Sequence, residues 1–296
     1  MKKLLLGLIA LGFAFSVNAA DLDVYGAINY KLSNDDNSSG EAVMKAENNG
    51  SKIGIDFSET LSEGAIGITG FAKLEVGIDA DDSGSDTFDS RLAYAGVDMG
   101  TLGSVSGGRQ ANPTGGVSKT NIFNVYGNNS VFYYADRTSN TLKYSNDLGS
   151  ISADTMFKID GASGQDGVDV TDLSVSADLG PLSVSGGYVD DAVNSINYTV
   201  GSASMDIEGL TLAGTYSFKD TTTDLTGIEA TASYDIGGTT VAVGYGDKEG
   251  TASYITTGAS HSLSGDVLAY AEYQMTDNDG TTTDTTQMAI GLKYSF

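Results

Sequence analysis

From Leu22 onward, apolar and polar residues alternate one by one through stretches of about ten residues, and Gly, Asn, Asp or Ser separate them. A period of two sends successive side chains to opposite faces of an extended strand. Each stretch therefore has one apolar and one polar face. A tilted strand of about ten residues is long enough to cross a bilayer. Strands cross hydrocarbon only when closed into a barrel, because an open edge would leave backbone N–H and C=O groups unpaired. The stretches are 22–32, 51–59, 65–78, 90–98, 102–109, 138–146, 150–159, 170–179, 181–189, 195–207, 210–219, 226–236, 238–247, 252–263, 265–275 and 285–296, sixteen in all. An even number suits a bacterial single-chain barrel. The fold class expected is all-β: a 16-stranded antiparallel transmembrane β-barrel forming one domain over residues 20–296.

Connections alternate in length. Leu61–Gly64, Asn146–Gly149, Leu179–Pro181, Glu208–Gly209, Gly237–Gly238 and Ser264–Gly265 are tight turns. Asn34–Asn49, Asp79–Asp89, Asp160–Asp169, Asp220–Asp224 and Thr276–Asp284 are longer and acidic. Barrels of this kind place short turns at the periplasmic end and long loops at the extracellular end. Lys2-Lys3, the apolar run Leu4–Phe15 and Val17-Asn-Ala19 read as a signal peptide over residues 1–19, so the chain is expected to be exported.

Composition narrows the function. The 296 residues include no Cys and no Trp, and the net charge is −24. Without Cys there is no disulfide framework and no thiolate metal ligand. The acidic balance excludes nucleic acid, which needs a basic stripe. No motif calls for a cofactor or a metal. Asp277-Asn-Asp-Gly280 and Asp79–Asp86 lack a complete calcium-loop pattern and read as solvated turns, with divalent cations as the alternative. No catalytic set emerges either. His261 is the one histidine, its parity is outward with Ile255, Ala259 and Leu263, and no Gly-x-Ser-x-Gly elbow exists. A secreted β-solenoid adhesin would show a fixed short repeat, which is not seen.

Alternation breaks once, between Gln110 and Asp136, in a segment with no acid from Ala111 to Ala135. A connection this long inside a compact fold is usually functional. Non-helical backbone at membrane depth must be buried in protein or line a water-filled cavity. Residues 110–136 are therefore expected to fold into the lumen as a constriction loop.

The flanking residues Arg91-Leu-Ala-Tyr-Ala-Gly96, Gly103-Ser-Val and Gly108-Arg109 resemble the strands before the constriction loop of the general trimeric porins of Gram-negative outer membranes. Asp23-Val-Tyr-Gly26 resembles that family's first strand, and the terminal Phe296 its assembly signal. The resemblance implies a homotrimer in the outer membrane, in contact with lipid, passing ions and small hydrophilic solutes by passive diffusion. It also implies basic side chains on the wall facing the loop. Lys52 falls on the strand-two basic position, Arg91 on the strand-four arginine, and Arg137 on the arginine before the strand-six Tyr144. Ala27 stands where some relatives carry a lysine, and the acids of the relatives' loop are missing.

Parity also points Lys52, Lys73, Arg91, Arg137 and Lys143 inward as a basic arc, with Asp56 and Glu75 on the same side. The alternative is local pairing, Lys52 with Asp56 and Lys73 with Glu75. Lys119, Asn121 and Asn124 would form the opposing wall on the loop. A basic arc facing amides favours anions, whereas acidic mouth loops favour cations, so weak net selectivity is expected. Arg109 has outward parity and is expected at a subunit contact, pairing with Asp81, Asp82 or Asp86, or else snorkelling to headgroups. Tyr94, Tyr134, Tyr188, Tyr216, Tyr234, Tyr245, Tyr273 and Tyr294 are expected at strand ends or on outward faces. Tyr25 and Phe71, the inward aromatics, are too few for a sugar-like track. A substrate-preferring porin for an anionic nutrient or oligosaccharide is the second functional reading.

Overall fold

The computed structural model describes residues 20–36, 41–63, 67–81, 87–161, 167–280 and 284–296. The signal segment 1–19, Ile66 and Asp82–Asp86 lie outside them. Within them the chain is one antiparallel sheet closed on itself. The strands are β1 (Ala20–Asp36), β2 (Ala42–Asn48), β3 (Lys52–Ser62), β4 (Ile68–Ile78), β5 (Phe88–Asp98), β6 (Ser104–Ala111), β7 (Arg137–Asp147), β8 (Ile151–Lys158) and β9 (Val170–Leu179). They continue as β10 (Leu182–Asp191), β11 (Ile196–Ile207), β12 (Leu210–Asp220), β13 (Leu225–Ile236), β14 (Thr239–Lys248), β15 (Ala252–Ser262), β16 (Val267–Asn278) and β17 (Thr285–Ser295).

β2 and β3 lie end to end along β1, Ala42–Asn48 against Tyr30–Asp36 and Lys52–Glu59 against Ala20–Ala27. They form one wall strand interrupted at residues 49–51, which makes the barrel 16-stranded. Residues 42–48, expected as part of an acidic loop, thus extend the wall. At the interruption Ser51 substitutes for the ladder: its hydroxyl accepts from the Asn29 N–H at 2.9 Å and lies 3.2 Å from the Asn29 carbonyl.

The pattern of burial is inside out for a soluble protein. Leu22, Val24, Leu142, Leu212, Val243, Ile290 and Leu292 are exposed on the outer face, while Asn29, Glu75, Asp172, Ser217, Glu229 and Glu272 are buried. That is the arrangement of a lipid-facing apolar band around a polar interior. Tyr188, Tyr216, Tyr234, Tyr245, Tyr273 and Tyr294 lie exposed on the outer face, as expected. Two tyrosines do not. Tyr94 pairs with the inward Lys73 and meets Phe71 edge-on at 6.4 Å, and Tyr134 packs against Tyr198 at 6.2 Å.

The short turns follow the sequence. Ile236 and Thr239 are paired across Gly237-Gly238, whose φ values of 57° and 86° suit the two-residue hairpin that matches strand twist. The sheet closes between β1 and β17. The Gly26 N–H donates to the Phe296 carbonyl at 2.8 Å, the Phe296 N–H donates back at 3.1 Å, and the Phe296 ring covers Gly26.

Two register shifts explain where alternation misleads. β5 carries an extra residue against β4, with Leu92 opposite Glu75 and Ser90 opposite Val76. Arg91 is the extra residue. Parity groups it with Ala93 and Ala95 and sets that face inward; the two alanines instead lie on the exposed outer face, and it is the bulge that brings Arg91 to the lumen. The second shift lies between β6 and β7, after Gly108. There Thr138, not Arg137, takes the inward position opposite Gln110, and Arg137 stands opposite Ala111.

Candidate functional site: the barrel lumen

The segment from Asn112 to Asp136 is bonded to inward side chains of the wall at every stage. Asp172 of β9 accepts from Asn112 Nδ2, the Thr114 N–H and the Thr114 hydroxyl, each at 3.0 Å. Ser185 of β10 donates to the Val117 carbonyl, and Ser202 of β11 accepts from the Lys119 N–H. Glu272 of β16 then accepts from three successive backbone N–H groups, Asn124, Val125 and Tyr126, at 2.5, 2.9 and 3.1 Å. Asn49, at the interruption of the wall strand, donates to the Asn124 carbonyl at 3.1 Å. On the way back Glu229 of β13 accepts from the Ser130 N–H and Ser217 of β12 from the Phe132 N–H.

A carboxylate that accepts several backbone N–H groups satisfies donors that would otherwise be orphaned, and such charge-assisted bonds are the strong ones. Close approach is built into the wall as well. A Cβ on Gly227 would sit 2.0 Å from the Ser130 carbonyl oxygen. Val117 and Val131 pack with Val200 of β11 into a small apolar core, with Tyr133 against it. The Tyr126 hydroxyl donates to Asp35 at 3.2 Å; burial first, then the Asp35 charge, pushes that hydroxyl up from its ordinary range.

Asp172, Glu229, Glu272, Asn49 and Asp35 were not among the expected site residues. A signal did exist: Asp172, Glu229 and Glu272 are acids at inward parity within membrane-length strands.

The opposite wall, β1 to β8, carries the ion pairs. Glu75 is its hub. Its side chain is 3% exposed; Lys52 reaches it at 2.8 Å, Arg91 at 2.5 Å and the Tyr25 hydroxyl at 3.0 Å. Lys73 pairs with Asp56 at 2.9 Å and lies 4.5 Å from the centre of the Tyr25 ring. Lys143 pairs with Asp154 at 3.2 Å.

Of the expected basic arc, Lys52, Lys73, Arg91 and Lys143 stand on the inner wall matched to carboxylates, and Arg137 does not join them. The cross-strand register also exchanges the expected partners: Lys52 reaches Glu75 rather than Asp56, and Lys73 reaches Asp56 rather than Glu75. Arg137 is not beside this group by hydrogen bonding. It stands at the end of β7, with Arg91, Asp136, Glu75 and Arg109 as its charged neighbours.

The loop residues expected on the far wall divide. Asn124 is tied to Glu272 through both its N–H and its side chain. Asn121 is exposed and its Oδ1 lies against Gly127. Lys119 is half-buried and, among the described residues, has no ion pair. Arg109 does face outward, opposite Ala93, where it donates to the Ser90 carbonyl at 3.3 Å and the Ser139 hydroxyl at 3.1 Å. Of the acids expected beside it, Asp81 instead accepts from the Asn48 N–H at 2.7 Å, and Asp82 and Asp86 lie outside the described residues. His261 is outward opposite Ala269, with Nδ1 2.8 Å from the Thr239 hydroxyl.

Inward aromatics are more numerous than expected. Tyr94, Tyr198, Tyr254 and Tyr270 join Tyr25 and Phe71 on the wall, and Phe123, Tyr126 and Phe132 come from the loop.

A family model of Gram-negative porins matches residues 7–281. The fold is similar to that of an anion-selective porin from Comamonas acidovorans, at 20% identity with a TM-score of 0.80 over 94% of this chain and 100% of that one. OmpF of Salmonella typhi, solved with daunomycin, is similar at 18% identity and a TM-score of 0.76, over 93% and 97% of the two chains. OmpT of Vibrio cholerae, in a trimer form, is similar at 17% identity and a TM-score of 0.71, over 94% and 100%. No curated protein matches the chain by sequence.

Proposed function

The chain belongs to the Gram-negative porins, and on that premise we propose that it is an outer-membrane diffusion channel whose passage runs between the moored segment 112–136 and the charged wall of β1 to β8. Ions and small hydrophilic solutes cross down their gradients without chemistry. The observation that carries this reading is the suspension of the segment from Asp172, Glu229 and Glu272, which leaves the Tyr25–Lys52–Glu75–Arg91 group on the uncovered wall.

At the narrowest part, Lys52 and Arg91 supply two positive charges and Glu75 one negative, a local excess of one. Lys73 with Asp56 and Lys143 with Asp154 add no net charge. Lys119, Asn121 and Asn124 border the passage from the loop. A single excess charge facing amides, under acidic outer loops, supports weak anion preference at the constriction and weak selectivity overall. The functional unit is a homotrimer in contact with outer-membrane lipid, and Arg109 lies at its subunit contact, where an outward guanidinium escapes hydrocarbon.

Reversal potentials in planar bilayers under a salt gradient test the assignment. Stepwise conductance with a shift towards cations in Lys52→Gln/Arg91→Gln is expected. Conductance with no shift would keep the channel and discard those two residues as its charge determinants. A folded barrel without conductance would sink the channel itself. For Arg109, Arg109→Glu is expected to lower the trimer fraction on unheated gels.

A further inference from the structure

Most lysines of the described lumen are matched to a carboxylate: Lys31 to Glu47, Lys52 to Glu75, Lys73 to Asp56, Lys143 to Asp154 and Lys158 to Asp160. Lys119, Lys219, Lys248 and Lys293 have no such match among the described residues, and of these Lys219 and Lys248 stand near each other. Both point inward at the long-loop ends of β12 and β14, and among the described residues neither has an ion pair. Their positions are fixed by the strand between them. Lys219 is opposite Leu225 and Lys248 opposite Gly227, two residues apart on the inward face of β13. Two strand spacings sideways and two residues along the strand separate the lysine backbones, roughly 12 Å, within reach of two flexible four-carbon stems. Each is close enough to be a charged neighbour of the other.

The surroundings are aromatic. The Lys248 Nζ lies 4.8 Å from the centre of the Phe132 ring and the Lys219 Nζ 5.7 Å from that of Tyr198. Tyr198 in turn meets Tyr134 edge-on. The acids nearby are otherwise engaged. Both oxygens of Asp191 accept from Asn194, and Glu249 accepts from the Thr226 N–H and hydroxyl. Asp220 follows Lys219 on the outward side, opposite Asn197. In a chain of net charge −24, two half-buried ammonium groups within electrostatic reach of each other, each beside an aromatic ring, are a costly arrangement without an anion.

We propose that Lys219 and Lys248 form an entry subsite for phosphomonoesters on the long-loop side of the moored segment, the phosphate held between the two ammonium groups and the organic part against Phe132 and Tyr198. The site is separate from the Glu75 group and rests on the diffusion-channel reading. It would concentrate anionic solutes in a mouth whose loops repel them, without a rigid bidentate grip, since lysine meets phosphate as a point charge.

The probe is glucose 6-phosphate, with glucose as the uncharged control. Added at millimolar concentration on the long-loop side in dilute KCl, glucose 6-phosphate is expected to reduce the current in a saturable way, and glucose is not. Lys219→Gln/Lys248→Gln is expected to raise the half-blocking concentration ten-fold or more, and Lys219→Arg/Lys248→Arg to retain the block. Equal block in the glutamine pair, or equal block by glucose, would overturn the subsite while leaving the channel intact. A barrel with no conductance would refute the channel instead. Calorimetric titration of glucose 6-phosphate into the detergent-folded protein then decides the subsite alone, and absence of binding there overturns it.

Discussion

Replacing Glu75 by glutamine should make the channel more anion-selective, and the size of the effect can be worked from the geometry. Lys52 and Arg91 sit 2.8 and 2.5 Å from the Glu75 carboxylate, so the three groups act on a passing ion as one excess positive charge. Glutamine keeps an acceptor oxygen for one of the cations but raises the excess to two. An ion passing roughly 6 Å away in water feels about 0.7 kcal/mol from one added unit charge. Screening at 0.1 M salt, where the Debye length is about 10 Å, reduces this to about 0.4 kcal/mol. Since 1.4 kcal/mol is a factor of ten, anion occupancy rises about two-fold and cation occupancy falls equally. The anion-to-cation permeability ratio should therefore move roughly four-fold towards anions. The assay is the reversal potential across a bilayer under a salt gradient at 0.1 M and again at 1 M, with heat-modifiable gel mobility to verify the folded barrel. The shift should shrink at 1 M. An unchanged reversal potential, or one that moves towards cations, would refute the placement of this group in the ion path.

The remaining predictions concern the mooring and the closure. Glu272→Ala removes the shared acceptor of three backbone N–H groups, and at about 1.5–3 kcal/mol for each bond to a charged group the segment should loosen. Open-channel current noise and protease cleavage between residues 121 and 129 should both rise, and Glu272→Gln should fall between wild type and alanine. Gly227→Val places a side chain where the Ser130 carbonyl now lies, so single-channel conductance should change while the barrel still folds; unchanged conductance would contradict that contact. Phe296→Ala uncovers Gly26 and strips ring packing from the seam, so refolding into detergent should slow relative to wild type, measured by the appearance of the heat-modifiable form.

All sixteen wall strands were legible in the sequence to within a few residues at most ends, because a period of two is a local property and membrane depth demands its repetition. What alternation could not reveal were its two interruptions. Arg91, set inward by parity with Ala93 and Ala95, does reach the lumen, but through a bulge, while those two alanines face outward. Arg137 lost the inward position to Thr138 through a second bulge, near which Asn140 adopts φ 61°. The Gly107-Gly108 pair was the available hint of that second break. Partner choice was equally hidden, since whether Lys52 finds Asp56 or Glu75 depends on register between strands, not on spacing along one of them. The carboxylates that hold the loop lie 58 to 148 residues from the groups they bind, a separation at which no local pattern carries information.

The seam between β1 and β17 has a consequence for biogenesis. Every other wall pairing joins strands adjacent in sequence, whereas this one brings Gly26 to Phe296. Until the final strand is laid down, the sheet keeps two unpaired edges, each a template for another copy of the same chain. Closure also carries the highest sequence separation in the molecule, the kind of contact that forms late and slowly. Loss of β17 would thus yield not a narrower channel but an open sheet inclined to aggregate. The seam makes β17 the strand that decides between a closed barrel and an open, aggregating sheet.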